Sequence, residues 1–88
     1  MTIVDKTSDQ EQIAFVNTQS KEADFQVLAK RFMLKTTADC YIAFDRPANA
    51  GDMVLASTDS VVYFESPATR VSAMGVSGSG TLYVIAIR

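Results

Sequence analysis

Histidine is absent from this chain, and cysteine occurs once, at position 40. Without histidine there is no Ser-His or Cys-His nucleophile pair and no imidazole metal ligand. A single cysteine excludes an intrachain disulfide and a cysteine-cluster zinc site. Cys40 lies in a strand-like run and reads as a small buried hydrophobe. A reactive thiol would need an activating base or cation beside it. Long apolar runs are missing too: nothing approaches the ~18 apolar residues that a membrane helix needs. The opening MTIVDKTSDQEQ has neither a basic n-region nor an apolar stretch, so it does not read as a signal peptide. The chain is therefore expected to be soluble, made in the cytosol and free of membrane contact. Positive charge is scarce and scattered. Eight Lys and Arg stand against ten Asp and Glu, the net charge is −2, and only Lys30 and Arg31 are adjacent. Phosphate contacts require clustered cations, so a nucleic-acid partner is not expected.

What is present is apolar and β-prone. The 88 residues are 48% hydrophobic, too apolar for a disordered chain and enough for one domain. So small a domain buries a limited fraction of its surface and gains from association. Residues 1–11 read as an N-terminal arm or edge segment that opens with Thr2-Ile3-Val4. Residues 12–88 read as a single β-sandwich domain.

Gln12–Thr18 is rich in β-formers and is expected to be a strand. Gln19–Arg31 supports two readings. Phe25, Leu28, Ala29 and Phe32 fall at helix spacing, with Ser20 as a cap and Lys30-Arg31 in the last turn. The alternative is a loop over Ser20–Asp24 and a strand from Phe25, with Phe25, Val27 and Ala29 on one face. The strand is preferred, because everything C-terminal to it is β. Arg31–Thr36 and Cys40–Phe44 alternate around the turn Thr37-Ala38-Asp39 and read as a β-hairpin. A loop over residues 45–51 follows, then strands at Met53–Leu55, Ser60–Glu65, Arg70–Val76 and Thr81–Ile87. Ser77-Gly78-Ser79-Gly80 reads as the hairpin turn before the last strand. Turns every 8–12 residues or so, without crossover helices, predict an all-β fold. The expected architecture is an antiparallel sandwich or jelly-roll-like barrel of about seven or eight short strands.

Two of these strands are apolar on both faces. In Thr81–Ile87, Leu82, Val84 and Ala86 oppose Tyr83, Ile85 and Ile87. In Ser60–Glu65, Val61 and Tyr63 oppose Val62 and Phe64. A strand buried on both faces sits inside something or meets a partner. The expected interface residues are therefore Ile3, Val4, Tyr63, Phe64, Tyr83, Ile85 and Ile87, in a homo-oligomer or larger assembly.

No constellation reads as catalytic, metal-binding or cofactor-binding. Asp39, Asp45, Asp52 and Asp59 recur every six or seven residues. The calcium-loop pattern D-x-[DN]-x-[DN]-G is absent, and each Asp adjoins a turn, where it can accept backbone N–H groups. A glycosidase could use two of these carboxylates, but a domain of this size has little room for the cleft. The Gly75–Gly80 segment lacks the G-K-[ST] ending of a phosphate loop and precedes a strand. Tyr41, Phe44, Tyr63, Phe64 and Tyr83 read as core or interface packing ahead of a sugar-stacking platform. Arg46 and Arg70 at strand ends read as solvated residues or ion-pair partners between subunits.

Three segments together resemble a known group: KRFMLKTTADCYIAFD, GDMVLASTDSVVYFE and ATRVSAMGVSGSGTLYVIAIR. Phe32–Asp45, Leu55–Phe64 and Arg70–Val84 are similar to segments of small all-β virion proteins of tailed bacteriophages. The similarity spans Lys30–Arg88 and carries no catalytic residue. The resemblance implies a non-enzymatic virion structural protein, most specifically a capsid decoration or cement subunit, trimeric, that bridges capsid proteins. Its partners would be the major capsid protein or other virion proteins and its own copies. It would be located in the virion after synthesis in the bacterial cytoplasm. A neck or tail component, or a receptor- or glycan-binding module, is the alternative within the same resemblance.

Overall fold

Side chains on successive residues of a strand point to opposite faces, so alternation alone decides what enters the core. A computed structural model describes residues 10–87 and shows that decision carried out in eight strands. They are β1 Gln10–Phe15, β2 Lys21–Ala29, β3 Arg31–Thr36, β4 Cys40–Phe44, β5 Met53–Leu55, β6 Val62–Phe64, β7 Ala68–Gly75 and β8 Gly80–Ile87. All pair antiparallel, in two four-stranded sheets ordered β1-β8-β3-β6 and β2-β7-β4-β5. Consecutive strands change sheet at every step except β4 to β5. That is the wrapped order of an eight-stranded jelly roll. The expected all-β sandwich is therefore the fold. The Ile3 and Val4 of the expected arm lie outside the described residues.

The core lies between the sheets. Ile13, Phe15, Phe25, Phe32, Leu34, Ile42, Val71, Leu82 and Val84 are among its buried members, and Cys40 is buried with them. Four phenylalanines run in a tilted chain at one end. Their centroids stand 5.9 Å apart for Phe25–Phe32, 5.3 Å for Phe32–Phe44 and 5.8 Å for Phe44–Phe64. Inclined rings at this distance avoid the unfavourable face-to-face sandwich.

Both expected hairpins are overturned. β3 and β4 belong to opposite sheets, as do β7 and β8. Thr37-Ala38-Asp39 carries the chain from one layer to the other. Thr36, buried at the corner, donates its hydroxyl to the Ala38 carbonyl at 2.6 Å and accepts from the Ala38 N–H at 3.3 Å. Thr37 N–H bonds the Thr81 carbonyl at 3.0 Å, and Thr81 N–H bonds Thr37 Oγ1 at 2.9 Å. The corner is thus tied to β8 and not to a hairpin partner. In the second case, Val76 N–H bonds the Asp39 carbonyl at 3.1 Å, which places the 76–79 turn over the same corner. A hairpin and a sheet-to-sheet arch bury the same alternate residues, so the pattern does not separate them.

The helix reading of residues 19–31 is overturned as well. β2 starts at Lys21, before the Phe25 expected for a strand there. Ala23, Phe25 and Ala29 face inward, while Leu28, which a helix would bury, is 58% exposed. Asp24 Oδ1 accepts the Gln26 N–H at 2.8 Å, and Gln26 has φ 65°. Pairing with β7 is irregular there and resumes at Ala29 and Ala68. Such a bulge on an edge strand also hinders pairing with foreign strands. The strand expected over Gln12–Thr18 runs over Gln10–Phe15, where pairing with β8 sets its limits.

Among the described residues, one buried polar group is left over. Ser72 is fully buried, and its hydroxyl has no hydrogen-bond partner. An unsatisfied buried hydroxyl costs about 1–3 kcal/mol. Ser72→Ala is therefore expected to raise unfolding stability by about 1 kcal/mol in urea titration. A loss of stability would mean that the hydroxyl is bonded.

Candidate functional site

The outer faces of the two sheets differ, and the difference begins in one loop. Residues 45–52 leave β4 and reach the far side of β7, where Ala48 N–H bonds Ser20 Oγ at 2.9 Å. The loop then returns to β5. It therefore crosses the outer face of β2-β7-β4-β5, where Ser72 and Ala43 are buried at 0% and 3% exposure. Both of its ends are fastened. Asp45, at φ 59°, accepts at one oxygen from Thr69 N–H (2.9 Å), Thr69 Oγ1 (3.1 Å) and Arg70 N–H (3.0 Å). Asn and Asp are the non-glycine residues that best tolerate this backbone region. Arg46 binds Asp52 through two nitrogens at 3.0 and 2.6 Å, and Asp52 also accepts the Asn49 N–H at 2.7 Å.

The four regularly spaced aspartates thus act as turn fasteners, as their positions lead one to expect. Asp39 takes the Ser57 N–H at 2.8 Å, and Asp59 takes the Ala56 N–H at 3.0 Å. Lys35 reaches over the same turn, with its ammonium on the carbonyls of Ser57 and Asp59. Arg70 lies 3.9 Å from Glu22. Among the described residues, no cluster of three or more Asp, Glu and Cys is placed to hold a metal ion. Burial pushes the Cys40 thiol above its ordinary pKa, although a hydrogen bond with Thr36 opposes the shift. A thiol held protonated is a poor nucleophile.

Thr69 N–H, foremost among its partners, holds the Asp45 carboxyl below its usual range, and Arg46 does the same for Asp52. A carboxylate whose folded pKa is depressed contributes stability above the unfolded value, about 3.9 for Asp. That contribution is lost as pH falls through the folded value. Unfolding stability should accordingly drop below about pH 4. Asp45→Asn keeps the backbone preference and one acceptor but removes the charge. It should cost about 1 kcal/mol at pH 7, because bonds to a charged acceptor are the stronger ones. The gap to the parent should narrow at pH 3, in chemical denaturation at both values. An equal gap at both would assign the effect to shape and not to charge.

Among the described residues no such loop crosses the outer face of β1-β8-β3-β6, and its register lines up apolar side chains. Tyr63 pairs with Met33, Met33 with Ile85, and Ile85 with Gln10, in one row across all four strands. The next row sets Lys35 beside Tyr83 and Tyr83 beside Gln12. A third pairs Arg31 with Ile87. Tyr63 is 62% exposed, Val61 46%, Tyr83 44% and Ile85 36%. Aligned cross-strand neighbours form one continuous patch, not scattered single residues. Its rim is polar: Gln10 and Gln12 on β1, Arg31 and Lys35 on β3.

The structure thus brings together Tyr63, Tyr83, Ile85 and Ile87 from the expected interface set. Phe64 is placed elsewhere. It points inward, partly buried, against Phe44. Tyr41 lies on the outer side of the other sheet, so the five aromatics do not form one platform. Met33 is the residue that alternation missed. It stands between Arg31 and Lys35, and that polar company hid an apolar centre. Its cross-strand partners become apparent only once the sheet order is known. Comparison with family models, with curated proteins and with solved structures finds no match to this chain.

Proposed function

We propose that this chain is a non-enzymatic structural subunit of a tailed-phage virion, most specifically a decoration or cement subunit of the head. The observation that carries the reading is the apolar row of Tyr63, Met33 and Ile85 on the outer face of β1-β8-β3-β6, which no described residue covers, while residues 45–52 bury Ser72 and Ala43 on the other sheet and leave Val54 there 47% exposed. Two further points support it. The segment that resembles phage virion proteins, residues 30–88, includes β3, β6 and β8, three of the four strands of that face. The jelly roll is also an architecture that viral capsid domains use, which is an analogy of fold alone.

In this reading the work is burial of area at subunit boundaries. Each Å² of apolar surface removed from water contributes about 25 cal/mol. Association costs several kcal/mol per copy, so one small face binds weakly and many copies on one shell act together. The partners are the major capsid protein or other virion proteins, together with further copies of the chain. No cofactor, membrane or nucleic acid enters the mechanism.

The test compares particles made with and without the gene. Purified particles should contain the chain in numbers proportionate to the shell protein, and heads lacking it should release DNA at a lower temperature. Absence of the chain from purified particles would end the proposal. Presence at only a handful of copies per particle would move it to the neck or tail.

A further inference from the structure

We infer that residues 45–52 form an acid-released strap: when Asp45 and Asp52 take up protons, it lifts as a unit and bares Ala43 and Ser72 while both sheets stay folded. The inference concerns the face opposite the Tyr63-Met33-Ile85 row. It does not depend on what that row binds.

The strap is held by polar clasps and hardly by packing. Of residues 45–52 only Ala48 is buried, at 2% exposure. Asp45 N–H bonds the Arg70 carbonyl at 3.0 Å, and Ala48 N–H bonds Ser20 Oγ at 2.9 Å. A segment with so little buried apolar area opens at a lower free energy than the sandwich around it. The backbone suits such a movement. Asp45 at φ 59° and Gly51 at φ 104° stand near its two ends, and nothing lies within 4 Å of a Cβ placed on Gly51. Hinges are a few loop or element-terminal positions that absorb a change in backbone angle. Beneath the strap the Ser72 hydroxyl has no partner. Lifting the strap returns water to it, so Ser72 favours the open state.

What holds the strap down is charge. One Asp45 oxygen accepts three bonds, all from Thr69 and Arg70 on β7. Both oxygens of Asp52 meet Arg46, and one of them also accepts the Asn49 N–H. Bonds to an ionised carboxylate are about twice as strong as neutral ones, and a proton on either group forfeits that gain. The neighbouring strands add few other charges. Arg70 on β7 lies 3.9 Å from Glu22 and pairs in register with Asp24, both on β2. β4 brings only the Tyr41 phenol to this side, and β5 has no titratable side chain. Both clasping carboxyls are held below their usual range in the closed strap, so each proton bound favours the open one. Release therefore falls below about pH 4, and each group that titrates on opening changes the balance by up to about tenfold per pH unit.

Thiol labelling of the purified full chain tests this, with Cys40 as the internal reference. Cys40 is fully buried in the core and reacts only when the sandwich unfolds. Ser72→Cys places a second thiol under the strap. Both are labelled with a dipyridyl disulfide, whose good leaving group keeps the exchange fast in acid. Each rate is divided by that of the urea-unfolded chain at the same pH. The ratio of the position-72 rate to the Cys40 rate should rise by about tenfold or more between pH 7 and pH 3.5. Asp52→Asn in the same background should bring part of that rise to pH 7. A ratio that does not change with pH would mean that the strap is not released by protons, and would overturn the inference. So would equal rates at the two positions throughout, since the strap would then open only with the whole fold. Hydrogen exchange on the unaltered chain decides the matter if Ser72→Cys does not fold. The Ala48 and Thr69 amides should lose protection in acid ahead of Val84, whose strand is paired on both sides. Loss in step with Val84 would overturn the inference equally.

Discussion

Phe32→Ala is expected to cost about 3–5 kcal/mol of unfolding stability, the range for removing a fully buried aromatic side chain. Phe32 is 0% exposed and stands in the middle of the phenylalanine chain, 5.9 Å from Phe25 and 5.3 Å from Phe44. Its strand pairs on both sides, with Phe64 on β6 and Ala86 on β8. The surrounding backbone is therefore held and cannot close over the space. Whole domains are stable by about 5–15 kcal/mol, and small ones sit low in that range. Urea denaturation should thus find the variant barely folded at 25 °C. The contrast is Tyr63→Ala in the isolated chain, where an exposed ring is lost and the change should stay within about 0.5 kcal/mol. A loss below 1.5 kcal/mol at Phe32 would mean that the aromatic chain is not the keystone of the core.

Gly75→Ala is the second large effect, and it arises from backbone and not from packing. A Cβ on Gly75 would lie 1.8 Å from the Gly78 carbonyl oxygen and 3.3 Å from Asn17 Cα. No side chain can rotate out of the way, because the obstacles are main-chain atoms. Gly75 N–H also bonds the Val16 carbonyl at 2.8 Å, so β7 is fixed on its other side. The 76–79 turn would have to lift from the corner it shares with Asp39. Overpacking of this kind costs about 3 kcal/mol. Gly78→Ala in the same turn is the matched control. Nothing lies within 4 Å of its Cβ position, and the change should be within about 0.5 kcal/mol. Equal effects at the two glycines would show that the turn is loose and that the close approach is not formed.

These two sites mark where the sequence could be read and where it could not. Phe32 and Leu34 alternate with Arg31, Met33 and Lys35 and are buried, whereas in β8, apolar on both faces, only the structure shows that Leu82 and Val84 are the buried side. The aspartates announced their turns, and all four take backbone N–H groups. The connections were not readable. Thr37-Ala38-Asp39 and Ser77–Gly80 have the composition of hairpin turns, yet both carry the chain between layers. The difference lies in contacts distant in sequence, such as Thr37 with Thr81 and Gly75 with Val16. A local pattern holds no record of them. Gln26 at positive φ, which interrupts β2, was equally silent, since glutamine carries no turn signal.

The interface set was legible to the same degree. Counting apolar residues on both faces of β8 singled out Tyr83, Ile85 and Ile87. It does not say which face of β6 is inside, and so it groups Phe64 with Tyr63. The core settles that choice, because Phe64 packs on Phe44 and leaves Tyr63 outside. Nor does that count show that residues 45–52 cross the opposite sheet and bury Ser72 and Ala43, while Val54 on the same sheet stays 47% exposed.

Cryo-electron microscopy of purified particles tests the central claim most directly. The account predicts copies of this jelly roll on the outer shell at capsomer boundaries, with the β1-β8-β3-β6 face packed on another chain and Tyr63, Tyr83 and Ile85 withdrawn from solvent. Particles without the chain, or bound copies that leave those three side chains in water, would contradict it.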